Sequence, residues 1–151
     1  MAETWLEHTC QIQVPESIDR VWELWVNLEL LPQWMKWIRS VTMLDDNLSQ
    51  WELDSRGFSF SWTSRTHTTI EHQRIEWESV SGLSNRGALR FYDRKEEGTI
   101  VRLTVAYGVP GWLASIMSSL FVGRVVESTI QADLERFKTY IAAHPRSIEV
   151  G

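Results

Sequence analysis

The strongest constraint in this chain is an order of periodicities. Period-2 alternation fills most of the chain before one long 3.6-residue pattern, from Pro110 to Ala143. Within that pattern Leu113, Ile116, Leu120, Gly123, Glu127, Ile130, Leu134, Phe137 and Ile141 recur at steps of three and four, forming one continuous stripe. Strands followed by a single long amphipathic helix imply an α+β architecture: a curved sheet with one apolar face and one helix to cover it. An unbroken helix would be roughly 48 Å long at 1.5 Å per residue. A domain of this size has a radius of gyration of about 15 Å. The helix is therefore expected to overhang or bend, with Gly123 as the hinge.

Upstream, His8, Cys10, Ile12 and Val14 alternate with Thr9, Gln11 and Gln13, which predicts a half-buried first strand ended by Pro15. Ser17 or Asp19 then caps a short helix carrying Val21, Trp22, Leu24 and Trp25. Asn27 to Trp34 reads as a second short helical turn, interrupted at Pro32. Strands are expected over Ile38–Leu44, Gln50–Asp54, Phe58–Thr69, Arg74–Ser79, Gly87–Asp93 and Thr99–Tyr107. The turn residues between them favour an antiparallel meander. Phe60 and Trp62 share one face, as do Ile75 and Trp77, Leu89 and Phe91, and Val101 to Tyr107 at every second residue. No repeat or linker interrupts residues 1–151, which read as a single domain.

Composition narrows the function. The net charge is −5 and the basic residues are scattered, so the stripe expected of a nucleic-acid binder is missing. One cysteine, Cys10, allows no intramolecular disulfide and fits a cytoplasmic setting, and Met1 to Val14 lacks the build of a signal peptide. The longest uncharged run, Tyr107 to Gly123, is shorter than the roughly 20 apolar residues of a membrane span. Nine tryptophans are unusual; each carries a large apolar surface and one N–H that needs a partner.

Glu127 is the first candidate for chemistry, because it falls inside the apolar stripe. A carboxylate there must pair, protonate or face a wet or ligand-filled space. One reading makes it a cavity acid that binds a ligand or moves a proton. The other pairs it with an Arg or His on a strand, or turns the stripe enough to expose it. His8 shares a face with Cys10 and offers a proton relay or a satisfied core histidine. His67 and His72 flank a strand-like segment at a spacing that fits no helical metal site, so no metal or cofactor is expected. There is no Gly-x-Ser-x-Gly elbow and no Gly-rich phosphate loop, which disfavours hydrolase, kinase and dinucleotide chemistry. Asp133, Glu135, Arg136 and Lys138 are expected mostly on the other faces of the helix, off the stripe. Trp112–Phe121 reads either as buried by loops or as a cavity mouth for transient membrane or protein contact.

The order strand, two short helices, meander and long helix resembles the START-like, helix-grip superfamily, in its polyketide cyclase/dehydrase and coenzyme Q-binding branch. The resemblance runs from about Glu7 to Ala143. It rests on Ile12-x-Val14-Pro15, Val21-Trp22-Glu23-Leu24, Leu31-Pro32-Gln33-Trp34-Met35, Trp62, Ile75-x-Trp77-x-Ser79, Gly82, Gly87-x-Leu89-x-Phe91, Thr99-x-Val101-x-Leu103 and Asp133-Leu134-x-Arg136-Phe137-Lys138. It implies a curved sheet around the C-terminal helix, with a pocket for lipids, quinones, sterols or aromatic polyketides. The expected function is binding of a hydrophobic small molecule, lined by Trp34, Trp37, Phe60, Trp62, Trp77, Phe91, Tyr107, Leu120 and Glu127. The alternative is a cyclase or dehydratase using Glu127 as general acid or base, with His8 or Tyr107.

Overall fold

The computed structural model describes residues 3–55, 57–117 and 120–144, without the side chains of residues 55, 58, 116, 117, 120 and 121. The alternating segments form seven strands: β1 (Thr4–Val14), β2 (Ile38–Met43), β3 (Leu48–Ser55), β4 (Phe58–Ile70), β5 (Arg74–Gly82), β6 (Asn85–Asp93) and β7 (Thr99–Val109). They make one antiparallel sheet in the order β1-β7-β6-β5-β4-β3-β2. The expected meander is therefore present, and its last strand closes back on the first. β1 starts at Thr4 rather than near His8, because backbone pairing with β7 continues to Thr4↔Val109 after the side-chain alternation fades. β6 likewise starts at Asn85, inside the segment read as a turn.

Three helices complete the chain: α1 (Ile18–Val26), α2 (Gly111–Met117) and α3 (Leu120–Ala143), with a 3₁₀ segment at Leu28–Gln33. Ser17 caps α1 by accepting from the Arg20 N–H at 3.3 Å, and Val21, Trp22, Leu24 and Trp25 are buried beneath it. The single helix expected over Pro110–Ala143 is two described helices. Gly123 lies inside α3 and is not the hinge. A glycine weakens a helix by roughly 1 kcal/mol, but a kink needs something to disturb the hydrogen-bond ladder.

The C-terminal half of α3 is held by an aromatic clamp. Trp25, Trp34, Phe137 and Tyr140 pack with ring centroids 5.0 to 5.2 Å apart, mostly edge-on or tilted. A polar clamp lies alongside. Asp133 accepts from the Lys36 N–H at 3.2 Å and from the Arg136 guanidinium, while Arg136 Nε donates to the Trp34 carbonyl at 3.1 Å. Asp133 is only 3% exposed, which corrects its expected place off the buried stripe. The buried side of α3 is Val126, Ile130, Asp133, Leu134, Phe137 and Ile141, a stripe turned toward the 3₁₀ segment relative to the one read from hydrophobicity alone. Burial pushes the Asp133 carboxyl above its ordinary range, against the downward pull of Arg136 and the Lys36 N–H.

Farther along the concave face Trp51 stacks on Trp62 and on Trp77, at 5.7 and 6.0 Å and 19° in each case. Gly87 makes room for this group. A Cβ there would stand 2.4 Å from the Trp77 ring.

Gly87→Ala should displace Trp77 and cost about 1–3 kcal/mol in urea unfolding, the usual penalty of overpacking. Asp133→Ala should cost about 3 kcal/mol, because it strands Arg136 and the Lys36 amide. The raised carboxyl of Asp133 fixes a pH trend as well. Its contribution is complete below the ordinary carboxylate range and is lost as pH rises through the raised value. Asp133→Asn keeps an acceptor for Lys36, so its unfolding midpoint should vary less with pH across that window.

Candidate functional site

Burial along the sheet–helix interface is graded. On the inner face of β7, Thr99, Val101 and Leu103 are sealed, whereas Val105 and Tyr107 are half-buried. On β6, Phe91, Leu89 and Gly87 are sealed and Asn85 is half-buried. On β5, Ile75 and Trp77 are sealed and Ser79 is half-buried. The helix follows the same trend, from buried Ile141, Phe137, Leu134 and Ile130 to half-buried Gly123 and exposed Glu127. The aromatic clamp closes one end. Toward the other, Ser79, Asn85, Tyr107 and Gly123 are only half-buried, so the interface between the sheet and the N-terminal half of α3 is less completely sealed.

Three polar side chains run in series at that end. His8, 8% exposed on β1, places Nδ1 3.3 Å from Glu127 Oε1 and Nε2 3.0 Å from the Tyr107 hydroxyl. The strand register explains the meeting. His8 pairs with Val105 and Leu6 with Tyr107, so His8 and Tyr107 are diagonal neighbours on one face. Their rings stack at 5.8 Å. α3 crosses this pair of strands and supplies the carboxylate. The Cys10 thiol points at the Glu127 carbonyl at 3.5 Å, and Gln131 Nε2 donates to the Gln11 carbonyl at 3.0 Å, which together hold α3 in register on β1.

The chemistry of this trio follows from which atoms can donate. An ionised carboxylate only accepts, so His8 Nδ1–H donates to Glu127. In the neutral imidazole Nε2 is then the acceptor, and the Tyr107 O–H donates to it. Burial pushes the Tyr107 phenol above its ordinary value, so it remains protonated at neutral pH. Burial, with a smaller contribution from the Glu127 charge, also pushes the Cys10 thiol up, which disfavours a thiolate nucleophile. A carboxylate orienting an imidazole that faces a hydroxyl is an arrangement able to take up or return one proton.

The Glu127 side chain is 53% exposed, so it stands at the edge of the buried stripe and not at its centre. Two expectations for it, pairing with a strand histidine and a turned stripe, hold together. Asn85 lies directly across from Tyr107 in the β6–β7 register, and its N–H donates to Ser79 Oγ at 3.0 Å. Its amide donates to the Leu83 carbonyl at 2.8 Å. Asn85 escaped the sequence reading because Ser81–Arg86 looked like a turn. Alternation resumes cleanly only at Gly87.

The other residues expected at the site are spread along the face. Trp34 and Phe91 belong to the closed end, Trp34 at 0% and Phe91 at 5% exposure. Trp62 and Trp77 are in the stacked group with Trp51, which the sequence reading did not include. Phe60 is exposed beside the β3–β4 turn, and Trp37 is half-buried ahead of β2, its carbonyl accepting from the Asp54 N–H. The side chain of Leu120 lies outside the described residues. So do those of Met117 and Phe121 in the Trp112–Phe121 segment, where Trp112 itself is strongly exposed. His67 meets Thr68, and His72 meets Asp19 at 3.0 Å in the β4–β5 turn. Among the described residues no group of three or more potential ligands could hold a metal ion, and no helix is long and apolar enough to cross a membrane.

Solved structures share this fold at low identity. A protein from Thermus thermophilus superposes with a TM-score of 0.79 at 19% identity, covering 93% of this chain and all of its own (100%). The Zhui aromatase/cyclase from Streptomyces sp. R1128 gives 0.72 at 19% identity, with 96% and 97% covered. A START superfamily protein from Mycobacterium smegmatis gives 0.72 at 13% identity, with 93% and 99% covered. These similarities establish the helix-grip fold and not an activity. No curated protein matches the sequence. The family model described as polyketide cyclase/dehydrase and lipid transport matches residues 14–135, and the chain belongs to that family.

Proposed function

We propose that this protein binds a hydrophobic small molecule in the recess between the sheet and the N-terminal half of α3, with the Tyr107 phenol as its polar contact. The observation that carries this reading is the Glu127–His8–Tyr107 chain at the open end of an otherwise sealed apolar interface. A chain of three polar groups adds little to a core that apolar packing already closes. It makes sense where one end of an oily ligand needs a hydrogen bond. Covering about 200 Å² of apolar ligand surface is worth roughly 5 kcal/mol. One hydrogen bond adds about 1 kcal/mol and sets orientation. A family defined by polyketide cyclisation, dehydration and lipid transport supports a ligand of lipid, isoprenoid, quinone or polyketide type.

The same chain favours a second reading, an enzyme of cyclase or dehydratase type. Here His8 Nε2 is the base, the Tyr107 hydroxyl carries the proton to or from a bound carbonyl compound, and Glu127 orients His8 and stabilises its imidazolium. Glu127 is then a positioning residue, because its carboxylate meets the recess through His8.

Titration with a panel of lipids and quinones should quench tryptophan emission and raise the melting temperature; an unchanged emission and melting temperature across the panel would sink the binding reading. Tyr107→Phe should weaken a ligand that carries a hydroxyl donor about fivefold and leave hydrocarbon analogues unaffected. Glu127→Gln separates the two readings. A carrier should keep its affinity within about twofold, whereas an enzyme should lose at least about tenfold in kcat at unchanged Kd.

A further inference from the structure

Among the described residues, the concave wall holds an indole N–H without a hydrogen-bond acceptor. Trp62 on β4 is 6% exposed, and its Nε1–H is sealed without a hydrogen-bond partner among the described residues. Its stacked neighbour Trp51 differs, since that indole donates to Ser49 Oγ at 2.8 Å. Trp25 and Trp34 also lack a conventional acceptor, but each lies edge-on or tilted against other aromatic rings, whose faces can receive an N–H. Trp62 has no such outlet. Its aromatic contact is nearly parallel, at 19°, and an in-plane N–H cannot reach the face of a ring stacked on it. In the sheet ladder Trp62 itself is paired with Trp51 on β3 and with Gly82 on β5. An acceptor for this donor must come from the interior.

The position of Trp62 makes that acceptor part of a ligand. Ser64, two residues along β4, is sealed and donates to the Glu78 carbonyl, while Phe60, two residues the other way, is exposed. Trp62 therefore stands at the border between the closed floor and the open recess. Thr66, on the same face opposite Trp77, has a sealed hydroxyl that is also unpartnered. We infer that the Trp62 indole N–H is a specificity-determining donor, selecting flat apolar ligands that carry an acceptor oxygen at this depth over hydrocarbons of the same shape. The inference rests on the recess being a ligand site, and it adds a second polar contact on the sheet side, away from Tyr107.

Fluorenone and fluorene test it, because they share a shape and differ by one carbonyl oxygen. The full-length protein should bind fluorenone about tenfold more tightly in fluorescence titrations. Trp62→Phe should abolish that preference while holding fluorene affinity within about threefold. Trp51→Phe should retain the preference. Trp62→Phe should also melt no lower than the wild type, since it deletes an unpartnered donor. Should that variant not fold, the wild-type Trp62 indole proton decides, moving downfield with fluorenone and not with fluorene. Equal binding of both probes, a preference that survives Trp62→Phe, or an indole proton indifferent to the carbonyl overturns the inference alone. Binding of neither probe overturns the ligand-site reading and this inference with it.

Discussion

The rest of the structure depends on α3 being pinned at one end. Trp25, Trp34, Phe137 and Tyr140 interlock at centroid distances near 5 Å, and the Asp133–Arg136–Trp34 hydrogen bonds lock the same turn of helix to the 3₁₀ segment and the chain after it. One helix cannot seal a seven-stranded curved face along its whole length. Fixing its C-terminal half over the closed end leaves the N-terminal half beside β1, where Glu127 can meet His8. The less sealed end of the interface is thus the far end of a lever whose fulcrum is aromatic packing.

His8 is the joint between the scaffold and the site. Its two ring nitrogens touch residues 99 and 119 positions away, on β7 and α3. It is buried, whereas Glu127 is half in water and Tyr107 half-buried, so a single sealed imidazole joins two groups at the edge of the interior. That arrangement gives each member its part. The exposed carboxylate stays an acceptor, the imidazole takes its orientation from it, and the half-buried phenol keeps its proton. In the proposed reading, Tyr107 and Trp62 would offer two polar contacts to one ligand, a combination that can orient it as well as hold it.

Much of the fold was legible because it rests on local periodicity. Alternating residues such as Val101, Leu103 and Val105 mark a half-buried strand wherever it pairs, and the steps from Ile130 to Ile141 mark a helix whatever covers it. The Ser17 cap and the order of the meander were readable for the same reason. The site was less so. Asn85 lay hidden in a segment rich in turn residues, Trp51 was passed over, and Asp133 looked off the buried stripe because a charged residue on an amphipathic helix ordinarily is.

The sequence by itself determined which residues face inward on each strand, that one terminal helix covers the sheet, and that an acid, a histidine and a tyrosine are available on inward-facing segments. Only the tertiary structure decided that Glu127, His8 and Tyr107 form one chain, that Trp34 and Phe91 belong to the closed end, and that the Trp62 N–H is left without an acceptor. The physical reason is that side-chain direction is local, set by backbone periodicity. Partnership and burial instead depend on the rotation of α3 about its axis and its crossing over β1, and those are fixed by packing between segments more than a hundred residues apart.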